Sequence, residues 1–322
     1  VLGRHVDPDP KSSQTLCKLN EWFHNCVTNH ASTCQSVSAK QLPTRVINVG
    51  SREGHSKLFL YETKGESGQY AVLSHCWGGV RHFVTTTTNL DQRKRGFTLN
   101  ELPQNFQDAV FIARNLGLQY LWIDSICIFQ DDTNDWQNEA AKMAEVYKNS
   151  TICIAAADAA TSHDGFLHHR PSSALCKLRI DKKRTIWARG TDETEHNQPC
   201  LRTVLDDFKK MTKECALTRR GWTLQEEKLA PRVIWFGKHQ NYWQCHSARI
   251  PEGTFGELHI DEWEKIYKYE QTLIHEPATL SASYRWLLIV EDYTTRKLTK
   301  PEDKFPAIAG LAREFSTIAD DK

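Results

Sequence analysis

The stretch PQNFQDAVFIARNLGLQYLWIDSICIFQDDTNDWQNEAAKMAEVYKNSTICIAAA, residues 103–157, passes twice from a helical to an extended pattern. Pro103 opens a helix in which Phe106, Val110, Ala113 and Leu116 share one stripe, and Gly117 closes it as a left-handed cap. Tyr120–Asp124 (YLWID) reads as a strand. Asn134 and Gln137 form a capping box for a second helix with Trp136, Ala140, Met143 and Tyr147 on its stripe. Thr151–Ala157 (TICIAAA) is again a strand. Upstream, Tyr70–Ser74 (YAVLS) is short and nearly all apolar, as expected of a strand covered on both faces. Right-handed crossovers then make 70–74, 119–124 and 151–157 parallel neighbours in a doubly wound α/β sheet, with helices 104–116 and 134–148 packed on it. Ligands bind such sheets beyond the carboxyl ends of the strands, so a pocket is expected among the loops Ser74–Gly79, Asp124–Asp131 and Asp158–Gly165.

Working outward, residues 1–45 form an N-terminal helical segment with Leu16, Leu19, Trp22, Phe23 and Cys26 at spacings of three and four. RVINVG (45–50) and Lys57–Glu62 read as strands, and with the alternation above they make 46–170 the central α/β core. Residues 171–260 are a β-rich extension: LRIDKKRTIWARG alternates like a hairpin, and RVIWFGKHQNYWQC reads as two strands around a polar turn. Between them RRGWTLQEEKL is helical from Thr223. Residues 261–322, with EWEKIYKYEQTL and YRWLLIVEDYTTRKL, form a helical C-terminal segment.

The 322 residues carry 41 Lys and Arg against 40 Asp and Glu, a net charge of +1 that gives no broad field for nucleic acid or an anionic membrane. No apolar run reaches the length of a membrane span, and the N-terminus shows no apolar signal region. Ten scattered cysteines without such a signal imply reduced thiols and a cytoplasmic location. Cys26, His30 and Cys34 lie at i, i+4 and i+8. On one continuous helix the outer two are about 12 Å apart along the axis, too far to share a tetrahedral ion, so no bound zinc is expected.

YAVLSHCWGG, the 102–159 stretch and RRGWTLQEEKLAPRVIWFG resemble the fungal heterokaryon-incompatibility (HET) domain, as do the flanks LCKLNEWFHNCVTNH and RKLTKPEDKFPAIAGLA. The resemblance implies an effector of nonself recognition and programmed cell death. It also implies a core similar to the Toll/interleukin-receptor (TIR) fold, a flavodoxin-like sheet. The chain stops soon after Ala309–Ala312, where the family continues, so a truncated form is expected. Several TIR domains cleave NAD, which makes an NAD(P) glycohydrolase-like activity the first enzymatic expectation, with NAD as substrate rather than cofactor. TIR hydrolases draw their catalytic Glu from a helix just after the strand that TICIAAA represents, whereas here DAATSHDGFLHHRP holds no Glu. A non-enzymatic, self-associating module and a small-molecule enzyme using Cys, His and Asp groups are the competing readings. A nucleotide or small-molecule ligand, self-association and an incompatibility partner protein are the expected contacts.

Asp124, Glu139 and Glu226 are the candidate acid–base groups: one ends a strand, one borders an apolar helix stripe, and one sits beside Arg220 and an aromatic. Arg220, Trp222 and Gln225 supply a guanidinium, a stacking plane and an amide for a phosphate or base. Ser74, Trp77, Gly78, Ser125 and Cys127 complete the expected ligand surface. Structural alternatives stand beside each: Asp124 capping the backbone of residues 125–127, Glu139 compensating a helix dipole, Arg220 pairing with a carboxylate, Cys127 an inert core thiol. Neighbours on a strand point to opposite faces, so Ser74 and His75 are not a nucleophile–base pair.

Overall fold

A computed structural model of the chain describes residues 6–50, 57–79, 83–171, 176–177, 200–201, 207–254 and 282–320. The expected hairpin 178–190 and the helix 262–273 lie outside the described residues.

Eight strands form one mixed sheet: β1 (Arg45–Asn48), β2 (Phe59–Glu62), β3 (Tyr70–Ser74), β4 (Tyr120–Trp122), β5 (Ile152–Ala155), β6 (Arg232–Phe236), β7 (Asn241–Cys245) and β8 (Arg249–Pro251). Their spatial order is β8-β7-β6-β5-β3-β4-β1-β2. β3 lies between β4 and β5 and is parallel to both, with Val72 opposite Trp122 on one side and Cys153 on the other. The three apolar strands are therefore parallel neighbours, as expected. β6 continues the parallel set beyond β5. The segment read as a β-rich extension packed on the core thus supplies a fourth parallel strand, and the antiparallel β6–β7 turn follows it. β1 and β2 close the other edge antiparallel.

The helices are α1 (Ser13–Asn29), α2 (Leu90–Arg95), α3 (Gln104–Asn115), α4 (Asp124–Cys127), α5 (Thr133–Lys148), α6 (Phe208–Glu214), α7 (Thr223–Leu229), α8 (Ala282–Thr295) and α9 (Pro306–Asp320). The chain steps from β3 to β4 through α3, then back past β3 to β5 through α5. That reversal puts α3 and α5 on opposite faces of the sheet. Side-chain contacts agree. Tyr70 of β3 donates its hydroxyl to the Val146 carbonyl of α5 at 2.7 Å, and His75 meets Phe106 of α3 edge-on at 5.0 Å. Val72, Ile154 and Ile234 are fully buried between the layers, each contributing about 1.5–3 kcal/mol by removal from water.

Three local readings are corrected. The second helix is capped by Asp132, whose carboxylate accepts from the amides of Asn134 and Asp135, rather than by a box at Asn134 and Gln137. β4 ends at Trp122, and Asp124 begins the single turn α4. Helix α1 ends at Asn29, so Cys26, His30 and Cys34 do not share one helix, which removes the geometric premise on which zinc was excluded.

The C-terminal helix docks tightly. A Cβ on Gly310 of α9 would stand 2.4 Å from the Ala144 Cβ of α5 and 2.8 Å from Gln225 Oε1 of α7. Gly310→Ala is expected to destabilise the fold by about 1–3 kcal/mol, read as a lower urea midpoint. An unchanged midpoint would mean that α9 does not pack this closely.

Candidate functional site

The alternation of side chains along β3 sorts the chemistry at its carboxyl end. Ser74 faces α7, where its hydroxyl donates a short hydrogen bond to Glu226 Oε2. His75 faces α3 and is 2% exposed. Beyond it the chain turns, and Trp77 Nε1 donates to Asp124 Oδ2 at 2.8 Å, tying the loop after β3 to the loop after β4. Arg220, placed by the segment before α7, donates to the His75 carbonyl. Of the expected cleft of Asp124, Glu139, Arg220 and Glu226 joined by Ser74 and Trp77, these contacts bring Ser74, Trp77, Asp124, Arg220 and Glu226 to one edge of the sheet, and they do not include Glu139.

Burial sets the electrostatics. Glu226 is 5% exposed, and loss of hydration pushes its carboxyl up to about 7. The Arg220 charge and the Ser74 hydroxyl oppose that rise, while nearby Asp124 adds to it. Tyr147 of α5 donates to the Leu73 carbonyl at 3.3 Å and also hydrogen-bonds Glu226. His75 is pushed down to about 4, by burial above all, although Asp124 acts in the other direction. Its Nδ1 lies 4.0 Å from Asp124 Oδ1, and at neutral pH this is a contact with a neutral ring rather than an ion pair. His75 Nε2 and Ser125 Oγ are buried without a hydrogen-bond partner, two polar atoms at this edge whose capacity the protein itself does not use.

The remaining candidates take other roles. Glu139 accepts from Thr44 Oγ1 at 2.7 Å and Lys142 Nζ at 3.0 Å, and no described contact joins it to Asp124, Ser74 or Glu226. Trp222 donates to Asp303 at 3.0 Å and meets Trp136 edge-on at 6.4 Å, so it anchors the C-terminal segment. The buried Gln225 amide lacks a partner but points beneath Gly310. Gly78, at φ +72°, lets its loop meet the loop after β5, where a Cβ would stand 2.5 Å from Thr161 Cβ. Its close approach is to the protein's own chain. Cys127 is fully buried, and burial pushes its thiol up to about 12. Cys76 is likewise raised by burial. Asp124 accepts from the Ser125 amide at 2.7 Å, the capping contact expected as its structural role, alongside the bond from Trp77.

Tyr147 and His75 were not among the expected site residues. Tyr147 is legible only as a member of an apolar stripe, and nothing in that periodicity says where its hydroxyl ends. A concavity of about 400 Å³ lined by Asn100, Pro103, Gln104 and His163 opens near the start of α3, away from these carboxylates. Its lining also includes Glu101, an exposed carboxylate held below its ordinary range by hydrogen bonds from the Thr98 amide and hydroxyl, and none of Ser74, Asp124 or Glu226.

The Glu226 environment has a thermodynamic signature. A carboxyl raised from 4.5 to about 7 holds its proton longer in the folded chain, so its contribution to stability falls as pH rises through that window. Glu226→Gln removes this dependence. In thermal melts the variant is expected to gain on the wild type between about pH 5 and about pH 8. A constant difference across that range would show that Glu226 is not held protonated by burial.

No curated protein and no solved structure matches the chain significantly. Among the described residues, no helix is long and apolar enough to cross a membrane. Ser74, Asp124 and Glu226 all lie within residues 70–226, the stretch that matches the family model described as Heterokaryon incompatibility protein (HET).

Proposed function

We propose that this chain is a HET-domain effector of nonself recognition and programmed cell death that acts by binding and hydrolysing a nucleotide such as NAD. The observation that carries the reading is the buried Glu226 carboxyl, raised to about 7, hydrogen-bonded to Ser74 beside Arg220 at the carboxyl ends of parallel strands. Four parallel strands in the order β4-β3-β5-β6 follow a flavodoxin-like succession, which supports a TIR-like core. The loop after β5 holds no Glu, and Glu226 of α7 takes the place of the carboxylate that TIR hydrolases draw from that region.

In this reading Arg220 meets the diphosphate and Asp124 orients the ribose. Water adds to the ribose C1′ while the C1′–N bond breaks. The bonding pair leaves with neutral nicotinamide, and the water proton passes to ionised Glu226. Turnover therefore rises with pH through about 7, as Glu226 ionises. The thiols at this edge are poor nucleophiles because burial holds Cys76 and Cys127 protonated, which weighs against a cysteine-dependent enzyme. The exposed Leu287 and Phe305, at 61% and 78%, favour in addition an association surface on the C-terminal helices, for a second copy or an incompatibility partner.

Incubating the chain with NAD and following nicotinamide release tests the reading. The wild type is expected to turn over, and Glu226→Gln to lose about 10²–10⁴-fold with an unchanged fold. Absence of nicotinamide release, or full turnover in the variant, overturns NAD hydrolysis. If toxicity on expression still depends on Glu226 without release, the site acts on another ligand.

A further inference from the structure

Three thiols and an imidazole meet outside the matched HET stretch. Cys26 lies in the last turn of α1, and His30 is the residue that ends it. The chain then folds back, with the Cys34 amide donating to the His30 carbonyl at 2.7 Å. Cys245, the last residue of β7, approaches from the sheet. One donor atom from each of Cys26, His30, Cys34 and Cys245 lies within 4.8 Å of all the others. The three cysteines are buried and His30 half-buried, with Cys245 Sγ 3.4 Å from His30 Nδ1.

The geometry points to a tetrahedral Cys₃His zinc site built from Cys26, His30, Cys34 and Cys245. Ligand atoms around tetrahedral zinc, with Zn–S near ~2.3 Å, stand roughly 3.7 Å apart, so side-chain adjustments of about 1 Å close the cage. Three thiolates and one imidazole are soft and borderline donors, which select zinc over magnesium or calcium. Binding sends three thiol protons to solvent and leaves a net charge of −1 in the site. Arg232 answers that charge: its Nε lies 3.3 Å from Cys26 Sγ, and its other nitrogens are held by the Thr151 and Gln35 carbonyls. The ion would clamp the segment 26–34 onto the sheet at β7, joining the two flanks of the matched stretch.

The test uses the whole chain, purified untagged and without chelator. About one zinc equivalent per chain is expected by elemental analysis. Cobalt added to the reduced, zinc-stripped chain is expected to give the intense visible bands of tetrahedral coordination with sulfur-to-metal charge transfer. His30→Ala and Cys245→Ser are expected to lose both signals. Stripping zinc should lower Tm, and zinc but not magnesium should restore it. No zinc with no cobalt bands, zinc retained in both variants, or an intact mass showing a disulfide among these thiols without metal would each overturn the site. The wild-type measurements decide even if a variant fails to fold.

Discussion

Because both faces of β3 are covered, each residue along it commits to one side of the sheet or the other, and its carboxyl end divides the chemistry accordingly. Tyr70 and Ser74 reach the layer of α5 and α7, while His75 reaches α3. A one-residue slip in register would exchange Ser74 with His75 and take the Ser74 hydroxyl away from buried Glu226. The parallel pairing of β3 with β4 and β5 holds that register by backbone hydrogen bonds on both edges. Everything at the site therefore hangs on a strand that contributes no charge of its own.

Two buried titratable groups sit on either side of this strand, and desolvation drives both toward neutrality. Glu226 moves up and His75 moves down. Arg220 acts on both, favouring the anion at Glu226 and disfavouring the cation at His75. The guanidinium thus keeps Glu226 close to the midpoint of its titration rather than permanently protonated. Glu227, next in sequence, shows the contrast. It is as deeply buried, but Lys228 and Arg296 at 3.1 and 3.6 Å hold it below the usual carboxylate range. One carboxylate is neutralised by pairing, and its neighbour remains free to exchange a proton.

The parallel core was legible because strands covered on both faces read as unbroken apolar runs, and the helices between them repeat at 3.6 residues. The convergence of Asp124 with Ser74 followed from the same topology, since strand ends in such a sheet share one edge. Glu139 misled because helical periodicity places a residue on a stripe but not its carboxylate, which Thr44 and Lys142 capture. Tyr147 was missed for the same reason. Trp222 and Gln225 looked like ligand groups because they adjoin Arg220 and Glu226, yet the turn of α7 aims them at the C-terminal helices. The thiol and imidazole cluster was hidden by the assumption that α1 runs on past His30, and by a fourth member, Cys245, some two hundred residues away.

The matched HET stretch ends at Glu226, but the structure does not stop there in any physical sense. Cut at that residue, β5 would become an edge with unpaired amides and carbonyls, because β6 covers it only from Arg232 onward. The segment that places Arg220 would lose its partner chain as well. Gly221 donates to the Lys297 carbonyl, and Lys297 donates back to Arg219. Gly221 packs so closely against Leu298 that a Cβ would stand 2.6 Å from its side chain. The segment after α8 hence holds the chain on both sides of Arg220 at the edge of the sheet, and the charge that tunes Glu226 depends on residues far outside the matched stretch.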